Sequence, residues 1–118
     1  IRLTQAVQDA RHMSQYPPVI RDALSFISIN YTQDIFLQEL ADMNHVSEEH
    51  LSRLFKKELG VTLTTYIGDL RTKKAAELLK TSKLSIAEIA MYVGYSDSNY
   101  FVKVFKKRYG MTPSAYRR

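Results

Sequence analysis

Residues 55–66 read FKKELGVTLTTY and residues 105–116 read FKKRYGMTPSAY. Six of the twelve positions match in register, Phe, Lys, Lys, Gly, Thr and Tyr, 50 residues apart. A pattern present twice and no more marks a duplicated module, because a solenoid needs at least three stacked units. Ahead of each copy the spacing predicts a helix. SEEHLSRLFKKEL (47–59) starts on a Ser cap with acids in its first turn and stops before Gly60. DSNYFVKVFKKRY (97–109) stops before Gly110.

A shorter helix precedes each of these. LQELADM (37–43) places Leu37, Leu40 and Ala41 on one side. IAEIAMYV (86–93) opens on SIAE (85–88), in which Ser85 and Glu88 match a capping box. Two helices that cross steeply through a tight turn make steric demands, and both copies meet them. The first helix needs a small residue at the crossing, supplied by Ala41 and Ala90. The second needs large apolar residues pointing back, supplied by Leu51, Leu54 and Phe55, and by Phe101, Val104 and Phe105. The turn needs a residue that tolerates positive φ. Gly94 does so at little cost, whereas the matching His45 does so less well. Phe36 stands at the expected cap of the 37–43 helix, where the second copy has Ser85, which leaves Asp34 as the substitute cap. The front halves align at an offset of 49 and the back halves at 50, so the second copy carries one extra residue near Ser96–Asp97.

The rest of the chain is also helical by period. Val19 or Ile20, Ala23, Leu24, Ile27 and Tyr31 form a stripe after Pro18. A long helix from about Leu63 to Leu79 follows a Thr62 cap, with Tyr66, Ile67, Leu70 and Leu78 as candidate core. Thr112-Pro113 caps a last turn, SAYRR. Leu3, Val7 and Ala10 predict a weak helix that breaks at Pro17-Pro18. The organisation is therefore a connector (1–16), a first helix-turn-helix unit (17–62), a linker helix (63–80) and a second unit (81–118), all-α. Ile1 in place of an initiator Met points to a piece of a longer protein whose N-terminal effector domain is missing.

Composition narrows the function. The chain has 118 residues, 45% apolar and 25% charged, which suits one domain or two small ones. It has no Cys, so disulfides, zinc–cysteine sites and thiol catalysis are excluded. The three His, at 12, 45 and 50, do not fall at metal-ligand spacing, and no Gly-rich phosphate loop is present. No metal, cofactor or enzymatic activity is expected. No apolar run approaches the ~20 residues of a membrane span, and the expected location is the cytoplasm. The net charge of +5 divides into −4 over residues 1–50 and +9 over 51–118. That asymmetry favours a polyanionic partner for the basic part. The faces not committed to the core read Ser47, Glu49, His50, Ser52, Arg53, Lys56, Lys57 and Asp97, Ser98, Asn99, Val102, Lys103, Lys106, Lys107. Short polar side chains that can address base edges come first, and cations suited to phosphate come late, in both copies.

From Pro18 to Arg118 the chain resembles the DNA-binding domain of the AraC/XylS family of bacterial transcription regulators. The resemblance is strongest over IAEIAMYVGYSDSNYFVKVFKKRYGMTPSAYRR (86–118), and LSRLFKKELGVTLTTYI and LRTKKAAELLKTSKLSIAEIA extend it. DSNYFVKVFKK also resembles members fused behind a phosphoacceptor receiver domain. The resemblance implies seven helices, with helices 47–59 and 97–109 entering successive major grooves on one side of double-stranded DNA. Carried over by position, it makes Glu49, Ser52, Arg53, Ser98, Asn99, Val102 and Lys103 base-contact candidates. Ser47, His50, Lys56, Lys57, Asn99, Lys106 and Lys107 become phosphate-contact candidates. Glu49 is a departure that either accepts from a cytosine amino group or repels phosphate. Val102 can touch only a thymine methyl, and Lys103 lacks the fork of the Arg often found there. Successive grooves lie ~34 Å apart, and a rigid helix of about 16 residues contributes ~24 Å. The competing reading is a protein-interaction bundle that docks on RNA polymerase or a sensory domain. This fragment is expected to be monomeric.

Overall fold

A computed structural model describes residues 15–118, so the expected helix over 1–15 lies outside the described residues. Within them are seven α-helices and no strand: α1 (Pro18–Asn30), α2 (Leu37–Met43), α3 (Glu48–Leu59), α4 (Leu63–Thr81), α5 (Ile86–Tyr92), α6 (Ser98–Tyr109) and α7 (Pro113–Arg117). The all-α expectation and the helix order hold. The chain forms two compact units, one running to Ile29 and resuming over Ile35–Leu63, the other made of Asn30–Asp34 and Thr64–Arg118.

The first unit contains α1, α2 and α3. Ile20, Ala23, Leu24 and Ile27 of α1 are buried, as the stripe required, but Tyr31 falls beyond the helix and is only half-buried. Leu40 and Ala41 of α2 and Leu51 and Phe55 of α3 complete the buried set. Each large side chain among them contributes ~1.5–3 kcal/mol by leaving water. Ser47 caps α3, its hydroxyl accepting from the His50 amide at 3.0 Å. Asp34 is not the cap of α2. Phe36 itself holds that position, extended at φ −107°, and no side chain satisfies the first amides.

The second unit is built on α4. Its core joins Ala75, Ala76 and Leu79 of α4 to Ile89, Ala90, Val93 and Tyr95, and to Phe101 and Phe105 of α6. Phe105 stacks on Tyr109 at 4.5 Å between ring centres and meets Tyr116 edge-on at 5.5 Å. Tyr66 and Tyr116 are half-buried. Ser85 and Glu88 close the capping box in both directions, at 2.9 and 3.0 Å. Three arginines tie other segments to α4. Arg108 pairs with Asp69 at 2.6 Å, Arg117 donates to the Leu79 carbonyl near the helix end at 3.0 Å, and Arg71 reaches the carbonyls of Tyr31 and Gln33.

The duplication extends to single hydrogen bonds. In the first turn the His45 amide donates to Asp42 O at 3.2 Å and the Val46 amide to Ala41 O at 3.1 Å. In the second, Gly94 donates to Met91 O at 3.2 Å and Tyr95 to Ala90 O at 2.8 Å. His45 has φ +55° and Gly94 φ +109°, so both turns use the positive-φ residue that the sequence placed there. His45 sits in the left-handed well that a side chain can occupy, whereas the Gly94 angle lies outside it.

Candidate nucleic-acid interface

The two helices that follow the turns, α3 and α6, each bury one stripe and expose the other. Leu51 and Phe55, and Phe101 and Phe105, face inward. At ~100° per residue, Glu49, Arg53 and Lys56 fall within about 60° of one another on the far side of α3. Asn99, Lys103 and Lys106 do the same on α6. All six are exposed. Ser47, His50, Ser52 and Lys57 are also exposed on the first face, and Lys107 on the second. Leu37, Glu48, Glu49, Ser52 and Arg53 line a shallow concavity at the start of α3.

The two faces are not equivalent. Val102 is half-buried and packs against the second core, and Ser98 is half-buried as well, so the α6 face rests mainly on Asn99 and Lys103. Tyr100 stands where α3 has His50 and is 56% exposed, with its ring 5.9 Å from that of Tyr95. It was absent from the candidate residues, although the offset of 50 already pairs it with His50.

Both helices begin acidic and end basic. Glu48 and Glu49 lie in the first turn of α3. Asp97 caps α6, its carboxylate accepting from the amides of Asn99 at 2.9 Å and Tyr100 at 3.4 Å. Lys56 and Lys57, and Lys106 and Lys107, occupy the last turns, where they also suit the helix dipole. The late lysines of both helices suit phosphate, while the start of each helix carries acids beside the short polar groups Ser47, His50 and Asn99.

The basic excess of the second half is partly structural. Arg71, Arg108 and Arg117 are engaged by carbonyls or Asp69. Burial raises the phenol pKa of Tyr95 and Tyr109 above the usual range. Among the described residues no group of three or more His, Cys, Asp or Glu could hold a metal ion. No helix among them is long and apolar enough to cross a membrane.

A helix, a tight turn and a second helix with an exposed polar face, present twice, define a tandem helix-turn-helix protein. A family model described as "Helix-turn-helix domain" matches residues 40–118. Over 92 residues the chain is 39% identical to the bifunctional transcriptional activator/DNA repair enzyme AdaA of Bacillus subtilis, covering 78% of this chain and 44% of that protein. It is 34% identical over 114 residues to the regulatory protein PocR of Salmonella typhimurium, covering 97% of this chain and 38% of that protein. The chain thus spans less than half the length of either relative. The C-terminal domain of AraT, a response regulator from Geobacillus stearothermophilus, superposes with a TM-score of 0.84 at 40% identity, covering 88% and 87% of the two chains. The chain belongs to the AraC/XylS family of transcription regulators and corresponds to its sequence-specific DNA-binding domain.

Proposed function

We propose that this chain reads a two-part site on double-stranded DNA, with α3 and α6 lying in successive major grooves. Arg53 offers a fork to a guanine, Glu49 accepts from a cytosine amino group, and Ser52 supplies an adaptable hydroxyl. On α6, Asn99 suits the two edge groups of adenine, Lys103 a guanine, and Val102 a thymine methyl, with Ser98 beside them. Ser47, His50, Lys56, Lys57, Asn99, Lys106 and Lys107 meet the backbone and fix register. The repeated exposed face, with cations late in both helices, is the observation that carries this reading.

In the whole protein this domain would act in the cytoplasm, joined to an N-terminal effector or receiver domain, and would control transcription through RNA polymerase. The fragment itself acts as a monomer, because the duplication supplies two reading heads in one chain. A salt titration of binding tests the proposal. The logarithm of affinity should fall linearly with the logarithm of salt, with a slope of about −0.9 per phosphate neutralised. A specific duplex should be held tighter than a scrambled one at every salt concentration. Equal affinity for both would refute sequence reading.

A further inference from the structure

Tyr100 places an aromatic ring in the first turn of α6, at the position where α3 has His50. The two tight turns match bond for bond, the Val46 amide donating to the Ala41 carbonyl and the Tyr95 amide to the Ala90 carbonyl. Val46 and Tyr95 are therefore equivalent, and the second copy alone has an aromatic side chain there. Tyr95 is buried, with the Arg71 guanidinium 5.1 Å from its ring centre and the Phe101 ring at 5.7 Å. The Tyr100 ring meets it edge-on at 5.9 Å and 61°. The Tyr100 amide donates to the Asp97 carboxylate at 3.4 Å. Ring and backbone of Tyr100 are thus both restrained. Yet the residue is 56% exposed, and its hydroxyl makes no hydrogen bond among the described residues.

On the helix wheel Tyr100 falls ~100° from Asn99 and ~60° from Lys103, at one border of the exposed face. Lys107 lies within ~20° of it on the same border, ~10 Å further along the axis. The opposite border is Val102, which packs against the second core. A helix in a groove addresses bases from the middle of its face and the backbone from its borders. His50 and Lys57 hold the matching border of α3, and both are exposed. We propose that Tyr100 clamps α6 to the DNA backbone: its hydroxyl donates to a phosphate oxygen, and the Tyr95 brace fixes the register in which Asn99 and Lys103 meet bases. The proposal rests on the DNA-reading function above. An aromatic side chain has few rotors to freeze, and the brace removes part of that cost before binding. A hydroxyl carries no charge, so it displaces no counterion from the duplex, unlike Lys106 or Lys107.

The test measures binding of the 118-residue chain to a duplex it selects from a random library and to a scrambled duplex, over a range of salt. Tyr100→Phe keeps the braced ring and loses the hydroxyl. It should bind both duplexes about 3–10-fold more weakly, with every base preference kept and the salt slope unchanged. Tyr100→Ala loses the ring as well. It should weaken the selected duplex about tenfold or more and flatten preference at the base pairs that Asn99→Ala and Lys103→Ala identify, while the preference lost in Arg53→Ala is kept. Far-UV circular dichroism melts establish that each variant is folded at the temperature of the assay. Tyr100→Phe binding like the parent would overturn the proposal. So would a Tyr100→Phe loss confined to one base pair, which would make the hydroxyl a base reader. A Tyr100→Ala variant with the profile of Tyr100→Phe would overturn the role of the brace. A parent chain that holds both duplexes equally would instead sink the DNA-reading function, and the register role of Tyr100 with it.

Discussion

Replacing Gly94 by Ala perturbs the second turn in two ways that the structure separates. The φ of +109° is a backbone conformation that L side chains rarely adopt, and forcing one there costs ~1–2 kcal/mol. The added Cβ would also stand within 3.0 Å of the Arg71 guanidinium and the Thr32 carbonyl. Arg71 would have to move and give up one of its two carbonyl bonds. One of these is part-buried and the other exposed. A discounted loss of ~1 kcal/mol is therefore appropriate. The sum is ~2–3 kcal/mol, and at ~4–8 °C per kcal/mol the melting temperature should fall by about 10–20 °C. Thermal and urea melts followed by far-UV circular dichroism measure it. The matched control is His45→Gly, at the same turn position of the first unit. There φ is +55°, and relief of left-handed strain is offset by the extra freedom of glycine in the unfolded chain. That variant should stay within ~0.5 kcal/mol of the parent. If Gly94→Ala melted within about 2 °C of the parent, the reasoning from turn geometry would be wrong.

Other substitutions address the interface and the caps. Arg53→Ala should cost ~1–3 kcal/mol of specific affinity and relax preference at one base pair, read by binding to a panel of single-substituted duplexes. Lys106→Ala should weaken specific and scrambled duplexes about equally and reduce the salt slope by about one. Glu88 accepts from the Ser85 amide, and that bond holds its carboxyl below the usual Glu range. A depressed folded-state pKa stabilises above the ordinary Glu range and loses that effect as pH falls through the depressed value. Glu88→Gln should therefore be less stable than the parent near pH 7, and the difference should vanish as pH falls through the depressed Glu88 value, by urea melts across the acid range.

The helices were legible in the sequence because period, caps and stops agree locally. Ser47, Ser85, Thr112 and the residues before Gly60 and Gly110 bound their elements as expected. Asp97 caps α6 as Ser47 caps α3, and the one extra residue of the second copy is Ser96, between Tyr95 and that cap. The core of α4 was harder to see. Of Tyr66, Ile67, Leu70 and Leu78, only Ile67 is buried, while Gly68, Thr72, Ala75, Ala76 and Leu79 carry the rest. Small residues make close packing possible, but they leave little hydrophobic signal. Thr72 is buried because its hydroxyl is satisfied by the Gly68 carbonyl at 2.8 Å. The Arg71, Arg108 and Arg117 contacts were invisible, since each joins residues about 35–40 apart, and a charge count assigns all three to the polyanion. The half-burial of Val102 was likewise hidden, because its position on the helix wheel lies at the border between core and exposed face.

Selection of bound duplexes from a random library by the 118-residue chain tests the central claim most directly. The account predicts recovered sequences with two unlike short motifs on the same side of the helix, ~10–10.5 base pairs apart. Recovery of one short motif alone, or of no enriched sequence, would contradict it.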